Sequence, residues 1–294
     1  MKKYCLITDS GADLSKELIE KYKIRVNPFF VILPDTEESL KEGVDITNKE
    51  YYERVLTANN HPSTAHANPH DILELYKALE SEGFEEIFYV TMASSVTGTN
   101  NTAHLAKRHY LRQGGKANIT IYDSAQASMA IGIQAIKAAK LFEEGLSAEE
   151  VVEKLNHFRM NELKSTLTVE TLKYLMKSGR VSKFRYAVGT ALKLTPCLEG
   201  TYSGKLEAFG AARSYEAAIK KIIDRAYSDI KTKANLAVYL TSGKAEEGLK
   251  IAKEYLKEKY NQIKILGDLD IGASIFTHTG PGIVAIIMFH YFDH

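Results

Sequence analysis

Four hydroxyl side chains crowd one short stretch, Ser94-Ser95-Val96-Thr97-Gly98-Thr99. It follows an apolar, β-branched run (Ile87 to Met92) and leads into an amphipathic pattern through Ala103, Leu105 and Ala106. The order is strand, polar loop, helix. A helix starting near Thr99 would point its free backbone N–H groups into the loop, a general anion site. The loop holds no Lys or Arg, so a carboxylate or a neutral polar head suits it better than a triphosphate. On this stretch alone, an ordinary Ser/Thr-rich βα turn explains the same residues.

Other groups could join it. Ser63 and Thr64 lie in a second polar loop, His61 to Asn68. His278-Thr279-Gly280-Pro281-Gly282 is a rigid, close-approach turn before the apolar run Ile283 to Met288, and it could set His278 at a cleft mouth. A hairpin turn with a solvated His fits those residues equally well. Arg180 follows a Gly in a turn and Arg213 closes the run Phe209 to Ala212; each also reads as a solvated surface charge. His66 and His70 have i,i+4 spacing, but the helix there begins at Pro69, which leaves His66 in the loop and argues against a metal site. Ser95, His278, Asp9 and Asp123 could be assembled on paper into a hydrolytic triad, yet nothing local positions them. The chain has no GxGxxG, GxxxxGK[ST], GxSxG, HExxH or CxxC.

The elements that must position these residues alternate βα through the first half. Tyr4 to Thr8 reads as a strand ending in a polar loop, Thr8 to Asp13, with Asp13 as the cap of a helix through Leu18. A second strand runs from Ile24 to Leu33, interrupted at Pro28. Thr47/Glu50 and Ser147/Glu150 have capping-box spacing, and Asn68-Pro69 marks a helix start. Ile119 to Tyr122 is a further strand, followed by a loop at Asp123–Ala125 and a long helix from Gln126 to Glu144. Such alternation predicts a mostly parallel sheet covered on both faces, with ligands at the carboxyl ends of its strands. After Met160 the texture changes. Strand runs begin at Leu163, Leu192, Leu206, Leu236, Ile263 and Ile283, with a short helix around Leu172–Met176 and a hairpin around Gly200–Gly204. Helices are expected at about 214–229 and 244–260. This half is α+β with antiparallel pairing. The reading is α/β in two domains, 1–160 and 161–294, with a ligand cleft between them.

At 294 residues the chain exceeds what one hydrophobic core usually sustains. Its net charge of +1 supplies no general field for nucleic acid or anionic lipid. Cys5 and Cys197 sit in strand-like runs without metal or redox spacing. The start MKKYCLITDSG lacks the apolar core of a signal peptide, and the longest apolar run is too short to span a bilayer. A cytoplasmic protein is expected.

Taken in order, six pieces resemble the DegV family over nearly the whole chain: Ile7-Thr8-Asp9-Ser10; Ser63-Thr64 after Pro62; Ser94-Ser95 with Gly98-Thr99; Asp123-Ser124 with Ser128-Met129; Leu175 with Lys177 and Gly179-Arg180-Val181-Ser182; and His278-Thr279-Gly280-Pro281-Gly282. The resemblance implies two α/β domains, the first Rossmann-like, with a long-chain fatty acid between them. Carried over, Thr64, Ser94 and Ser95 hold the carboxylate, His278 lies beside it, and Ser63 and Gly280 add further lining. Arg180 and Arg213 face a separate ATP-dependent fatty acid kinase that makes acyl phosphate for phospholipid synthesis. A transient membrane contact is compatible with this reading; no nucleic acid, metal or cofactor is implied, and the chain itself is not an enzyme. The sequence departs from the family where Ala65-His66-Ala67-Asn68 follow Thr64 and where Val96, Thr97 and Asn100 replace Gly, Ser and Tyr. A serine/histidine acyl hydrolase, or a subunit related to small-molecule kinases, stands as the alternative.

Overall fold

The computed structural model describes residues 3–33, 36, 38–57, 61–179 and 194–292. The first half runs β1 (Tyr4–Asp9), α1 (Lys16–Tyr22), β2 (Arg25–Asn27), β3 (Phe30–Ile32), β4 (Ser39–Lys41), α2 (Asn48–Thr57), β5 (Ser63–Ala65), α3 (Pro69–Ser81), β6 (Glu86–Thr91), α4 (Thr99–Arg112), β7 (Asn118–Asp123), α5 (Met129–Glu143) and α6 (Ala148–Asn161). The second half runs β8 (Leu163–Thr168), α7 (Lys173–Ser178), β9 (Thr195–Gly200), β10 (Leu206–Ala212), α8 (Tyr215–Asp229), β11 (Leu236–Gly243), α9 (Glu246–Lys259), β12 (Lys264–Asp270), α10 (Ala273–Thr279) and β13 (Ile283–His290).

Three sheets result. The first is parallel, in the order β2-β1-β6-β7. Its middle strands are buried at every position after the first, as a sheet covered on both faces requires. The second is mixed, β10-β9-β8-β13-β11-β12, with β12 parallel to β11 and its other pairs antiparallel. A third, small sheet, β4-β3-β5, is antiparallel. The expected α/β architecture is present, with the parallel sheet built from the first half and the mixed sheet from the second.

Local signals explain several helix starts. Thr47 and Glu50 exchange bonds reciprocally ahead of α2, and Ser147 and Glu150 do the same ahead of α6. The Asn68 side chain accepts from His70 N and Asp71 N, with Pro69 opening α3. The expected hairpin joins β9 to β10 through the turn that contains Gly204.

Four expectations need correction. Asp13 does not cap α1; Ser15 does, accepting from Leu18 N at 3.3 Å. Asp13 instead sits in the left-handed region, φ 51°, with its carboxylate turned to tertiary partners. The run from Ile24 to Leu33 is two strands in two sheets, because Pro28 lacks the N–H that would continue one ladder. The helix after Asp123 begins at Met129 rather than Gln126. His278 belongs to a short helix, α10, and not to a hairpin turn.

Small-sheet residues Val31 and Leu33 pack with Tyr51 and Tyr52 of α2, and the same core takes in Phe276 of α10 and Ile283 of β13. Elements from both sides of residue 160 thus share one apolar cluster. That cluster carries the helix on which His278 sits.

Candidate functional site

A cavity of about 550 Å³ lies between the parallel and mixed sheets. Its walls are the loop after β6, the loop after β7, strand β5 with His66, helix α10, the inner faces of β8 and β13, and the β9–β10 hairpin. The volume falls within the range that encloses a small organic ligand. One side is apolar: Leu167, Ala285 and Ile287 come from adjacent strands of the mixed sheet. Alternation along a strand makes this possible, since residues two apart share a face.

The polar residues arrive from several elements. Thr64, on β5, and His278, in the last turn of α10, meet at 2.9 Å, Oγ1 to Nε2. Ser94 and Ser95 border the same cavity from the loop after β6. The Ser95 hydroxyl donates to the Gly204 carbonyl at 2.5 Å, tying the loop to the hairpin turn. Gly204 permits that approach: a Cβ there would lie 3.0 Å from both Ala93 Cβ and Ser95 Oγ, and its φ is +80°. The N-cap of α4, Gly98, has no side chain to cap the helix. The helix starts at Thr99 as its residue types predict, with its first N–H groups at this loop.

Four of the residues named from the sequence therefore share one cavity: Thr64, Ser94, Ser95 and His278. Ser63 and Gly280 do not border it. Ser63 precedes Thr64 on β5 and is exposed, while Gly280 is buried against Tyr174, with φ +73°, as the stop of α10. Arg213 is exposed just beyond β10. Arg180 lies outside the described residues. Among the polar loops expected to converge, those after β6 and β7 reach the cavity directly; the loop after β1 acts from behind it.

That support is built from buried carboxylates. Asp9, at the end of β1, accepts from Met92 N at 2.7 Å and from the Tyr89 hydroxyl at 2.5 Å, which fixes the first residue of the serine loop. Burial pushes its carboxyl up to about 6. Asp13 accepts from Gly272 N at 2.8 Å and from the Ser128 hydroxyl. Glu42 accepts from Ser274 N at 2.7 Å, from the Ser274 hydroxyl and from the Ser10 hydroxyl. Both are held above the ordinary carboxylate range, Asp13 by burial and then by Glu42, and Glu42 by burial. A Cβ on Gly272 would lie 2.5 Å from Glu42 Oε1 and 2.8 Å from Asp13 Oδ1, so a larger residue there would push the two carboxylates off the start of α10. Tyr51 bonds Thr277, and the Tyr52 hydroxyl donates to the Ile271 carbonyl. The elements that place His278 thus come from the other half of the chain.

Sequence reasoning did not single out Glu42, Gln126, Ser165 or Ser274. Glu42 follows the short β4, Gln126 lies in a loop, Ser165 on β8 and Ser274 in a seven-residue helix, and their roles depend on contacts between distant segments. Among the described residues no group of three or more His, Cys, Asp or Glu side chains could hold a metal ion. Nor is any described helix long and apolar enough to cross a membrane.

The family model described as "Uncharacterised protein, DegV family" matches residues 3–290. A DegV domain-containing protein of Clostridium perfringens is 32% identical over 286 residues, 97% of this chain and 98% of that one. A Thermotoga maritima protein named fatty acid-binding protein is 31% identical over 285 residues, 95% of each chain. A solved structure, described as fatty acid binding of a DegV family protein from Thermus thermophilus, superimposes with a TM-score of 0.87 at 25% identity, covering 98% of this chain and 100% of that chain. A parallel sheet and a mixed sheet enclosing a cavity with an apolar side and polar loops define the class, an α/β protein with one cavity between two sheets. This chain belongs to the DegV family.

Proposed function

We propose that the protein binds one long-chain fatty acid in this cavity and presents its carboxyl group to a separate fatty acid kinase, performing no chemistry itself. The observation that carries the reading is the cavity's division. Apolar residues of β8 and β13 line one side, and Thr64, His278 and the serine loop form a polar rim. Thr64 and His278 take the carboxylate, with Ser94 and Ser95 beside them. Arg213, exposed beyond β10, belongs to the face offered to the kinase, as Arg180 does by family resemblance. The fatty-acid-binding names of the Thermotoga and Thermus relatives support the ligand class; the kinase partner and a cytoplasmic location rest on the family resemblance.

Energetics favour a tail-driven carrier. Burying a CH₂ contributes about 0.8 kcal/mol, so a tail of roughly sixteen carbons supplies on the order of 10 kcal/mol gross. Each hydrogen bond to the charged head adds about 1.5–3 kcal/mol. The tail sets affinity and the head sets orientation.

The acyl-hydrolase alternative needs a base at the serine. Here the Ser95 hydroxyl donates to the Gly204 carbonyl, and His278 Nε2 is engaged with Thr64. The test is calorimetric titration of delipidated protein with palmitic acid beside an acyl-ester turnover assay. One-to-one binding without turnover supports the carrier. Ester cleavage that disappears in Ser95→Ala overturns it.

A further inference from the structure

We infer that the cavity holds a second polar subsite, formed by Gln126 and Ser165, that takes an oxygen carried on the acyl chain itself, as in a hydroxy or oxo fatty acid. The inference rests on the fatty-acid reading and narrows it. Gln126 lies in the loop between β7 and α5 and is 5% exposed. It borders the cavity together with Ser165 of β8 and Gly200 of β9. The Ser165 hydroxyl donates to Gln126 Oε1 at 2.6 Å. Among the described residues, Gln126 Nε2 has no hydrogen-bond partner; the amide's only side-chain bond there is the one its oxygen accepts from Ser165. A plain hydrocarbon chain laid over this amide would strip its water and cannot supply a partner. An oxygen on the ligand can.

The space for this pair is made by glycine. A Cβ on Gly200 would lie 2.5 Å from Ser165 Oγ and 3.0 Å from Gln126 Oε1, so any other residue there would displace the pair. Ser165 pairs in register with Ile287 of β13, and Leu167 shares its face. Gln126 is tied to the serine loop through its carbonyl, which accepts from Ala93 N at 2.9 Å, while Ser165 and Leu167 belong to the chain-binding wall. The depth of the pair follows from the hairpin. Gly200 pairs with Leu206, two residues beyond Gly204, whose carbonyl holds Ser95. Two residues of strand span roughly 7 Å. At about 1.2 Å of reach per chain bond, that sets the recognised oxygen about six chain bonds from the point where the ligand passes Ser95.

The test is competition binding to delipidated protein by octadecanoic acid and by a series of hydroxyoctadecanoic acids with the hydroxyl moved stepwise along the chain. The expected result is a preference of roughly three- to tenfold, the worth of one neutral hydrogen bond, for a hydroxyl near the predicted depth over the plain acid. Gln126→Leu removes that preference and binds the plain acid more tightly than wild type, an outcome that misfolding does not produce. Ser165→Ala, which frees the amide to turn, reduces the preference. Equal affinity of wild type for plain and hydroxylated acids, the result if water alone fills the subsite, overturns the inference and leaves the carrier reading standing. Failure of every acid to bind overturns both.

Discussion

Asp9 offers the sharpest test of how the serine loop is held. Its carboxylate is fully buried at the end of β1 and receives Met92 N and the Tyr89 hydroxyl. Burial lifts its pKa from an ordinary 3.8 to about 6. Between those values the folded protein keeps a proton that the unfolded chain has released. The stabilisation is fully present below about pH 4 and is lost as pH rises through about 6. The whole shift corresponds to about 3 kcal/mol at 1.36 kcal/mol per unit. Linkage then makes the Asp9 contribution about 1.3 kcal/mol larger at pH 5 than at pH 7. Asp13 and Glu42 act in the same direction, whereas His61 and His104, lowered mainly by burial, act oppositely. Asp9→Asn isolates the effect, because the other groups remain. Urea unfolding of wild type and Asp9→Asn, followed from pH 4 to 8, should give a difference between the two that widens by about 1.3 kcal/mol on going from pH 7 to pH 5. Parallel stability curves over that range would refute the assignment.

Three further outcomes follow from the site. Thr64→Val removes the hydroxyl bonded to His278 and should weaken fatty acid binding by roughly ten- to a hundredfold without abolishing it; complete loss in a titration would show that the head, not the tail, governs affinity. Gly280→Ala places a side chain at φ +73° and a Cβ 2.1 Å from the Tyr174 ring. It should destabilise the fold by more than about 1 kcal/mol, seen as a lower Tm, and weaken binding through displacement of His278. Arg213→Glu should retain bound lipid in mass analysis yet lose acyl-phosphate formation with a kinase partner; unchanged acyl-phosphate formation would remove Arg213 from the docking face.

Much of the fold was legible because its signals are local. The Thr47/Glu50 and Ser147/Glu150 pairs and Asn68-Pro69 carry their own partners within three residues, so tertiary context has little to override. The strand–loop–helix at Ser94–Thr99 is legible for the same reason. Asp13 misleads because its residue type suits a cap while its carboxylate is claimed by Gly272 and Ser128, far along the chain. Helix α10 is hidden because seven residues of mixed type carry little periodicity; it is held by Asp13, Glu42, Tyr51 and Tyr52 instead of by its own pattern. Gln126 reads as the first residue of a helix, and only the left-handed backbone of Ala125 and Ser128 (φ 50° and 58°) around it turns it towards the cavity. For the site, the family resemblance named Thr64, Ser94, Ser95 and His278, and all four border one cavity. It did not reveal that Thr64 and His278 bond directly, since that contact joins residues 214 apart in sequence.

The central claim, one fatty acid held between the two sheets, is tested most directly by native mass spectrometry of freshly purified protein, followed by extraction and identification of what is bound. The account predicts one long-chain fatty acid per chain. A chain that is consistently empty, even after incubation with assorted fatty acids, would contradict it.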